Sequence, residues 1–325
     1  MTWRGLWVFV LFIGVATGCG STHEPTASSE CEGDGPVVAL NRNGEESPGL
    51  AEVVVADREG NSVLVTGDWV ATRPSFSPDG RKLVVVRADG DYESAGPGST
   101  SLWTMNSDGA DPLSLTEGQL GLYDDYPDWS PDGSTIVFSR ASPNELGPGR
   151  QILTVPAQGG DAGPVLPNDG FDDIAPTWSA DGRMIAFVRA EWQPDGSRVT
   201  TVWVVSADGS NARPIAPILD AHSLQWHPQR NVLLVNTFGA EDGSVALVDI
   251  DSGNVRRLAE HATFAAWSPG GSEIYYFTKE GAPQQSWWRL AQGRVVGDRL
   301  ERDRYVGAID DYLYHYFGLA VSPCS

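Results

Sequence analysis

The sequence is poor in cationic side chains. It has 22 Lys and Arg residues against 43 Asp and Glu residues, which gives a formal net charge of −21 at pH 7. This balance excludes nonspecific nucleic-acid binding through a basic patch, and it disfavours docking of the folded body onto anionic lipid. It is compatible with cationic partners or metal ions, although most charge of this kind is solvated surface.

Several other patterns are absent. No stretch has convincing helical periodicity, and the apolar run at residues 6–16 is shorter than the roughly 20 residues that span a membrane. The sequence contains no Gly-x-Ser-x-Gly nucleophile motif and no EF-hand calcium loop. We therefore expect neither a helical fold nor a serine-hydrolase module.

A short unit recurs along the chain. YPDWSPDG at residues 126–133 is repeated as RPSFSPDG, APTWSADG, SLQWHPQR and FAAWSPGG, and a degenerate copy, GLAVSPCS, is found at residues 318–325. Aligned copies place an anchor residue at intervals of 53, 49, 48, 41 and 54 residues. A period of this length is typical of solenoids, propellers and arrays. The anchors are Phe76, Trp129, Trp178, Trp226, Trp267 and Val321.

Each anchor precedes an Asp-Gly-type turn, two β-prone apolar runs and a short fourth run, which we name strands A to D. Residues 36–65 match strands B, C and D, and the missing strand A is supplied by residues 317–322. The pattern predicts an all-β, six-bladed β-propeller with four-stranded blades, whose ring is closed by N- and C-terminal strands sharing one blade. The turn residues Asp79, Asp132 and Asp181 are expected to bond local backbone.

The repeats resemble a known family. The Trp-Ser-Pro-Asp-Gly turn, the following Ile-x-Phe run and the Trp-containing hairpin are similar to the WD-repeat-like propeller repeats of the TolB C-terminal domain, over residues 36–323. The resemblance implies a propeller that binds an extended protein segment across or into its channel. Oligogalacturonate lyases are propellers with similar repeats, and they use His residues to hold a metal.

The N-terminal residues indicate export. Residues 1–18 are interpreted as a signal peptide, and Ala16 to Cys19 resemble the bacterial lipobox, which would make Cys19 the lipidated first residue of the mature protein. The alternative is an ordinary secretory signal with a chance cysteine. Residues 19–35 would then form a flexible tether, and residues 36–325 the propeller. We expect an extracytoplasmic protein of the cell envelope that meets the membrane only through its lipid anchor.

The other two cysteines are expected to pair. Cys31 lies just before the first strand B and Cys324 just after the last strand A, so they meet if the ring closes as predicted. An oxidising envelope compartment allows a disulfide between them. Two free thiols are the alternative.

One face of the propeller carries the candidate site. The B–C loops and D–A connections lie at the same end of each blade, and they are long and irregular, whereas the A–B and C–D turns are short. Function on propellers usually lies on such loops. The candidate binding-face residues are Trp69, Tyr92, Tyr123, Asp124, Asp125, Asp172, Asp173, Trp192, His222, His261, Asp310, Asp311 and His315.

The favoured function is a non-catalytic, monomeric binding scaffold for a protein or peptide partner, without a cofactor. One alternative is a metal-dependent lyase or hydrolase whose ligands would be His222, His261 and His315, since His with carboxylate is a set that binds transition metals. A second alternative is a solute or metal-ion sensor.

Overall fold

A computed structural model describes residues 38–43, 51–56, 62–67, 69–89, 98–142, 149–167, 170–195, 198–238, 243–280, 287–297, 299–308 and 319–323. These residues form 24 strands and no helix. Within them, no helix is long and apolar enough to cross a membrane. The predicted signal peptide, Cys19, the tether, Cys31 and Cys324 lie outside the described residues, so the assignments made for them stay predictions.

The strands follow the predicted four-strand repeat. Their bounds are β1 (Val38–Asn43), β2 (Ala51–Ala56), β3 (Ser62–Leu64), β4 (Ala71–Phe76), β5 (Lys82–Asp89), β6 (Ser99–Asn106), β7 (Leu113–Ser114), β8 (Tyr123–Trp129), β9 (Thr135–Ala141), β10 (Gln151–Pro156), β11 (Gly163–Pro164), β12 (Asp172–Trp178), β13 (Met184–Trp192), β14 (Arg198–Ser206), β15 (Arg213–Pro217), β16 (Ala221–Trp226), β17 (Val232–Thr237), β18 (Ser244–Asp249), β19 (Val255–Glu260), β20 (Ala262–Trp267), β21 (Glu273–Glu280), β22 (Trp287–Val296), β23 (Arg299–Ala308) and β24 (Leu319–Val321).

The strands assemble into six four-stranded antiparallel blades. Blade 1 has the order β24-β1-β2-β3, and blades 2 to 6 begin with β4, β8, β12, β16 and β20. Blades 2 and 3 are joined by a single parallel bridge between Thr100 and Tyr123. In blade 1, Val321 pairs with Val38 and Leu319 with Leu40. This pairing confirms that strands from the two ends of the chain complete one blade.

The innermost strands form a closed ring. Each of β4, β8, β12, β16, β20 and β24 contacts the next, and β24 contacts β4. Because the ring is closed, every blade is covered on both sides by a neighbour, whereas the two end blades of a linear array would each leave one face exposed. The ring encloses a channel, and strand A of every blade lines it.

The core lies between blades. Trp129 packs with Val84 and Leu102 of the preceding blade, and Trp267 packs with Leu234 of blade 5. Both Trp side chains are buried, and burying a Trp removes about 150–250 Å² from water. The repeated anchor therefore holds adjacent blades together.

A turn closes the A–B end of blades 2 to 4. In blade 3 the Ser130 hydroxyl donates to the Asp132 carboxylate at 2.6 Å, which also accepts the Ser134 N–H, and Gly133 completes the turn at φ +70°. The Ser130 hydrogen bond lowers the pKa of Asp132. The equivalent pairs are Ser77–Asp79 and Ser179–Asp181. The turn aspartates bond local groups, as expected from their spacing.

Strand A carries a β-bulge three residues before the anchor. Arg73, Tyr126, Ala175 and Phe264 all have a φ of 50–55°, and the pairing register shifts at these positions. A proline follows the first three, at Pro74, Pro127 and Pro176, where it removes no ladder hydrogen bond. The bulge turns these side chains into the channel wall.

Candidate functional site at the channel mouth

The channel contains a cavity of about 300 Å³ lined by two rings of side chains from the inner strands. The ring nearer the long-loop face, here called the mouth ring, comes from the residue three before the anchor, which is the bulge position in blades 2, 3, 4 and 6. The second ring, here called the middle ring, comes from the residue just before each anchor. The mouth ring comprises Arg73, Tyr126, Ala175, Ser223 and Phe264, and the middle ring comprises Ser75, Asp128, Thr177, Gln225, Ala266 and Ala320.

Asp128 is the charged member of the middle ring. Its carboxylate accepts hydrogen bonds from the Thr177 hydroxyl and the Trp178 N–H, both at 2.9 Å. Burial in the wall raises its pKa to about 6, and these hydrogen bonds limit the rise. Gln225 plays the same structural part in blade 5, since its Oε1 accepts the Trp267 N–H at 2.6 Å. A side chain of the middle ring thus links one blade to the anchor of the next.

Arg73 dominates the mouth ring. Its guanidinium lies 2.5 Å from the Asp125 carboxylate and 3.7 Å from the centroid of the Tyr126 ring. Burial alone would lower the pKa of Arg73, but the charge and hydrogen-bond contributions of Asp125 and Tyr126 together outweigh it, and the pKa is raised. Burial also raises the pKa of Tyr126, against the charges of Arg73, Arg150 and Arg198. The tyrosine is therefore a neutral hydroxyl at pH 7.

Three further predicted acidic residues at this face, Asp124, Asp172 and Asp173, are also paired with arginine. Arg140 bonds both Asp124 oxygens at 2.6 and 2.7 Å, and Arg189 bonds both Asp173 oxygens at 2.8 and 2.7 Å. Asp172 lies 3.6 Å from Arg150. Because each carboxylate has a guanidinium beside it, these aspartates do not form an open ring of negative charge.

Arginines at the same position also stack on aromatic rings. Arg87 lies 4.3 Å from the centroid of Trp69 and 4.8 Å from that of Trp103, and the two rings meet edge to face at 4.9 Å. Arg189 lies in the same way near Phe171 and Trp203. Trp69 is therefore half-buried in the body of the propeller.

Blade 5 presents a different arrangement. His222 is only 2% exposed, and neither ring nitrogen has a hydrogen-bond partner among the described residues. The ring is stacked on Phe238 at 3.6 Å and meets Phe264 of the mouth ring edge-on at 5.6 Å. Burial lowers the pKa of His222 to about 3; the charge of Arg73 lowers it further, the backbone of Asp220 raises it, and the charge of Arg198 has the smallest effect.

Exposed apolar side chains gather at the same face. Of ten exposed large apolar side chains in the described part of the chain, six belong to the B–C and D–A ends of blades. Trp192 and Phe238 are each 54% exposed. A second cavity, of about 670 Å³, adjoins Phe238, Leu219 and His261. The six residues, here called the apolar patch, are Leu120, Tyr123, Trp192, Val199, Leu219 and Phe238.

The structure brings together only part of the predicted site. Asp125 and His222 lie at the mouth ring, Tyr123 and Trp192 are exposed on the face, and His261 is exposed beside the second cavity. Tyr92, Asp310, Asp311 and His315 lie outside the described residues. Within the described ranges, no three His, Cys, Asp or Glu residues converge on a point where they could hold a metal ion.

Sequence reasoning missed the arginines. The apolar runs at residues 82–87, 135–140 and 184–189 all end in Arg, eleven residues after the anchor. In the antiparallel A–B pair this position lies opposite the residue five before the anchor, as in Asp124↔Arg140 and Asp173↔Arg189. The recurring arginine was visible in the sequence, but its pairing with an aspartate could be inferred only from the register between strands A and B.

No protein-family model matches the sequence, and no curated protein sequence matches it. The fold is nevertheless similar to solved structures. TolB from Acinetobacter baumannii is 17% identical with a TM-score of 0.66, and the match covers 88% of this chain and 66% of that one. This chain thus spans about two thirds of that TolB chain. A chain of the nidogen/laminin complex is 10% identical with a TM-score of 0.61, covering 89% and 98%.

An enzyme with the same architecture is also similar. Oligogalacturonate lyase in complex with manganese is 15% identical with a TM-score of 0.52, covering 70% of this chain and 68% of the lyase. Identities this low show the fold and not the function. The chain has a TolB-like β-propeller fold.

Proposed function

We propose that this TolB-like propeller is a non-catalytic, monomeric scaffold that binds an extended segment of a protein partner across its long-loop face and channel mouth. The apolar patch is the observation that carries the proposal. Exposed apolar surface that is concentrated at one face marks a candidate site for protein binding, and Leu219 and Phe238 line one cavity there.

The patch has features of a protein interface. Trp192 ends β13 and pairs with Arg198 of β14, so a regular hairpin presents it to solvent. Aromatic residues held on a rigid element lose little entropy on binding and dominate interface energetics. The mouth ring adds Tyr126 and Phe264 beside polar groups. A partner that covers Trp192 and reaches the channel would bury both aromatic and hydrogen-bonding surface.

The fold is compatible with this role. A chain of the nidogen/laminin complex has the same architecture, so a propeller of this kind is found in a protein–protein complex. With a signal peptide at residues 1–18 and a lipidated Cys19, the binding would take place in the cell envelope, and a Cys31–Cys324 disulfide would secure the closed ring.

The lyase and sensor alternatives have weaker support in the described residues. A metal site needs ligands that converge within about 2–2.6 Å of one point. Asp125, Asp172 and Asp173 are held by arginines, and His222 is wedged between two phenylalanines. We therefore assign the face to partner binding without a cofactor.

Site-specific photo-crosslinking tests the proposal. A photo-reactive phenylalanine analogue replaces Trp192 in the full-length protein, expressed in its native host. We expect irradiation to give a discrete crosslinked protein, since Trp192 is half exposed on the apolar patch. The matched control carries the analogue at Val296, which is 47% exposed at the C–D end of blade 6 and thus on the opposite face.

The two positions distinguish binding from random collision. Capture of one protein from position 192 and none from position 296 supports a partner on the long-loop face. Equal products from both positions, or none from position 192, would remove that face from consideration as the binding surface.

A further inference from the structure

We propose that the channel mouth between blades 4 and 5 contains a binding site for one carboxylate group of the partner segment, formed by Arg198, His222 and Tyr126. This inference rests on the proposed function, because it names the chemistry that the binding face recognises.

Arg198 has no acidic partner among the described residues. It begins β14 opposite Trp192, and its Nε is buried without a hydrogen-bond partner. No ion pair involves it in the part of the chain that the structure describes. A buried N–H of a charged group that lacks an acceptor costs free energy, which an incoming acceptor recovers.

Arg198 is close to His222. Thr200, two residues along β14 and on the same side of the strand, accepts the Ala221 N–H at 3.1 Å, and Ala221 precedes His222. The Arg198 charge acts on both His222 and Tyr126. The Arg198 side of β14 therefore faces the strand that carries His222, and His222 contacts Phe264, which lines the same cavity as Tyr126.

His222 supplies an unused donor. It is neutral at pH 7, so one of its two buried ring nitrogens carries a proton and finds no acceptor among the described residues. Phe238 and Phe264 fix the plane of the ring. An oriented imidazole N–H, a neutral tyrosine hydroxyl and a guanidinium form a donor-rich site that suits an anion.

The local charge count indicates a singly charged anion. Arg73 and Arg150 already have Asp125 and Asp172 beside them, whereas Arg198 forms no ion pair with any residue in the described ranges. One carboxylate would balance it. A phosphate, which carries close to two charges at neutral pH, would not match this single excess charge.

Blade 4 shows the arrangement that an added carboxylate would complete. There the guanidinium of Arg189 donates hydrogen bonds to both carboxylate oxygens of Asp173. The corresponding strand A position in blade 5 is Ala221, which offers no acid. The net charge of −21 opposes the binding of acidic peptides in general, so a preference for glutamate over glutamine would have to come from this local site.

Peptide binding to the full mature chain at pH 7 tests the site. The probes are end-blocked tetraglutamate and end-blocked tetraglutamine, which differ in charge but little in size. We expect tetraglutamate to bind at least about tenfold more tightly, since hydrogen bonds to charged groups exceed neutral ones by this much. Arg198→Gln should remove the preference. Arg213→Gln is the matched control, because Arg213 is exposed in the same blade just after the C–D turn.

A measurement on the unaltered protein makes the test independent of variant stability. Tetraglutamate should shift the NMR signals of the His222 ring, whereas those of His227, at the A–B end of blade 5, should stay in place. Inorganic phosphate is titrated in parallel and should bind more weakly than tetraglutamate.

Each remaining outcome would overturn the inference. These are no binding of tetraglutamate at millimolar concentration, equal binding of both peptides, equal losses in Arg198→Gln and Arg213→Gln, or tighter binding of phosphate. If Trp192 still crosslinks a partner while the glutamate preference is absent, the scaffold function stands and the carboxylate site does not.

Discussion

Blades 3 and 4 differ from blades 5 and 6 at two facing positions near the long-loop end. In blades 3 and 4 these positions hold the pairs Asp124–Arg140 and Asp173–Arg189. In blades 5 and 6 the same register holds Ala221–Thr237 and Ala262–Thr278. The same pair of facing positions thus accommodates either a buried ion pair or a small, uncharged Ala–Thr pair.

The difference determines where charge remains uncompensated. A buried ion pair is not needed for stability, since its desolvation cost offsets much of its attraction. Blade 6 omits it and keeps the register shift of blades 3 and 4, whereas in blade 5 the shift moves to between Ala221 and Ser223, at His222. At the boundary between blades 4 and 5, Arg198 of blade 4 faces blade 5, which has Ala221 where blade 4 has Asp173. His222 lies at the same boundary.

The opposite end of the blades shows a parallel difference. Blades 2 to 4 close the A–B turn with a Ser–Asp hydrogen bond, whereas blade 5 has His227 in place of the serine. Its Nδ1 accepts the N–H groups of Gln229 and Arg230, and its Nε2 lies 3.0 Å from the Gly271 carbonyl oxygen and 2.9 Å from the Arg230 Nε. The histidine therefore links blade 5 to the turn of blade 6.

Breaking one ion pair gives the largest expected effect. Arg189→Thr leaves Asp173 as a buried carboxylate without its guanidinium, since the side chains are only 9% and 8% exposed. We expect the free energy of unfolding to fall by roughly 3–5 kcal/mol. Urea denaturation at pH 7 measures the loss.

The double variant Asp173→Ala/Arg189→Thr is the matched control, because it copies the Ala262–Thr278 pair of blade 6. It should recover most of the lost stability. If it is as unstable as Arg189→Thr alone, the two groups of blades are not interchangeable at this position, and packing of Arg189 on Phe171 and Trp203 matters more than its charge.

The histidine link gives the next largest effect. A Cβ at Gly271 would overlap the Cε1 of His227, and Gly271 has a φ of +67°. Gly271→Ala should therefore lower the free energy of unfolding by roughly 3 kcal/mol, from overlap and left-handed backbone strain together. Thermal and urea unfolding both report this change.

Gly133→Ala is the control, since Gly133 has a similar φ of +70° but a Cβ there would come no closer than 3.7 Å to Pro78. It should cost only the conformational part, about 1–2 kcal/mol. Adding His227→Ser, which restores the usual turn serine, should reduce the cost of Gly271→Ala to the same value. Equal costs at both glycines would show that His227 does not fill the space over Gly271.

The fold could be predicted from the sequence because its signals are local and repeated. Six anchors at near-regular spacing, each followed by a turn and β-prone runs, define the blades. The missing first strand A predicted that β24 would join β1, and Val321 does pair with Val38. A single weak copy such as GLAVSPCS became interpretable only because the other copies fixed its place.

The site could be predicted only in part. Sequence parity placed Asp125, Trp192 and His222 near one face, but it did not reveal what each side chain touches. Whether Asp173 is open to a metal or closed by Arg189 depends on which residues face each other across strands, and a register error of one residue reverses the answer. The sequence analysis did not single out Asp128, because its position in the channel wall becomes apparent only from the arrangement of all the inner strands in the structure.

The smallest effect concerns Asp128 and its neutral counterpart Gln225. Both accept the N–H of the next anchor, but only Asp128 titrates. Its folded-state pKa is raised to about 6 from an ordinary value of 3.8, so the folded protein binds more protons than the unfolded chain between these values. Its contribution to stability is therefore full below pH 4 and is lost as the pH rises past 6.

Asp128→Asn should remove this dependence. Relative to the unaltered protein, the variant should gain about 2 kcal/mol of unfolding free energy between pH 4 and pH 8, allowing for partial solvent access from the channel. The pKa values of His222 and His227 are lowered, to about 3 and about 4, so their contributions to the free energy of unfolding decrease as the pH falls. These contributions are the same in both proteins and cancel in the difference. Urea unfolding of both proteins across this range provides the measurement. A difference that does not change with pH would mean that water in the channel solvates Asp128 fully, and that the charged middle ring of blade 3 behaves like the neutral one of blade 5.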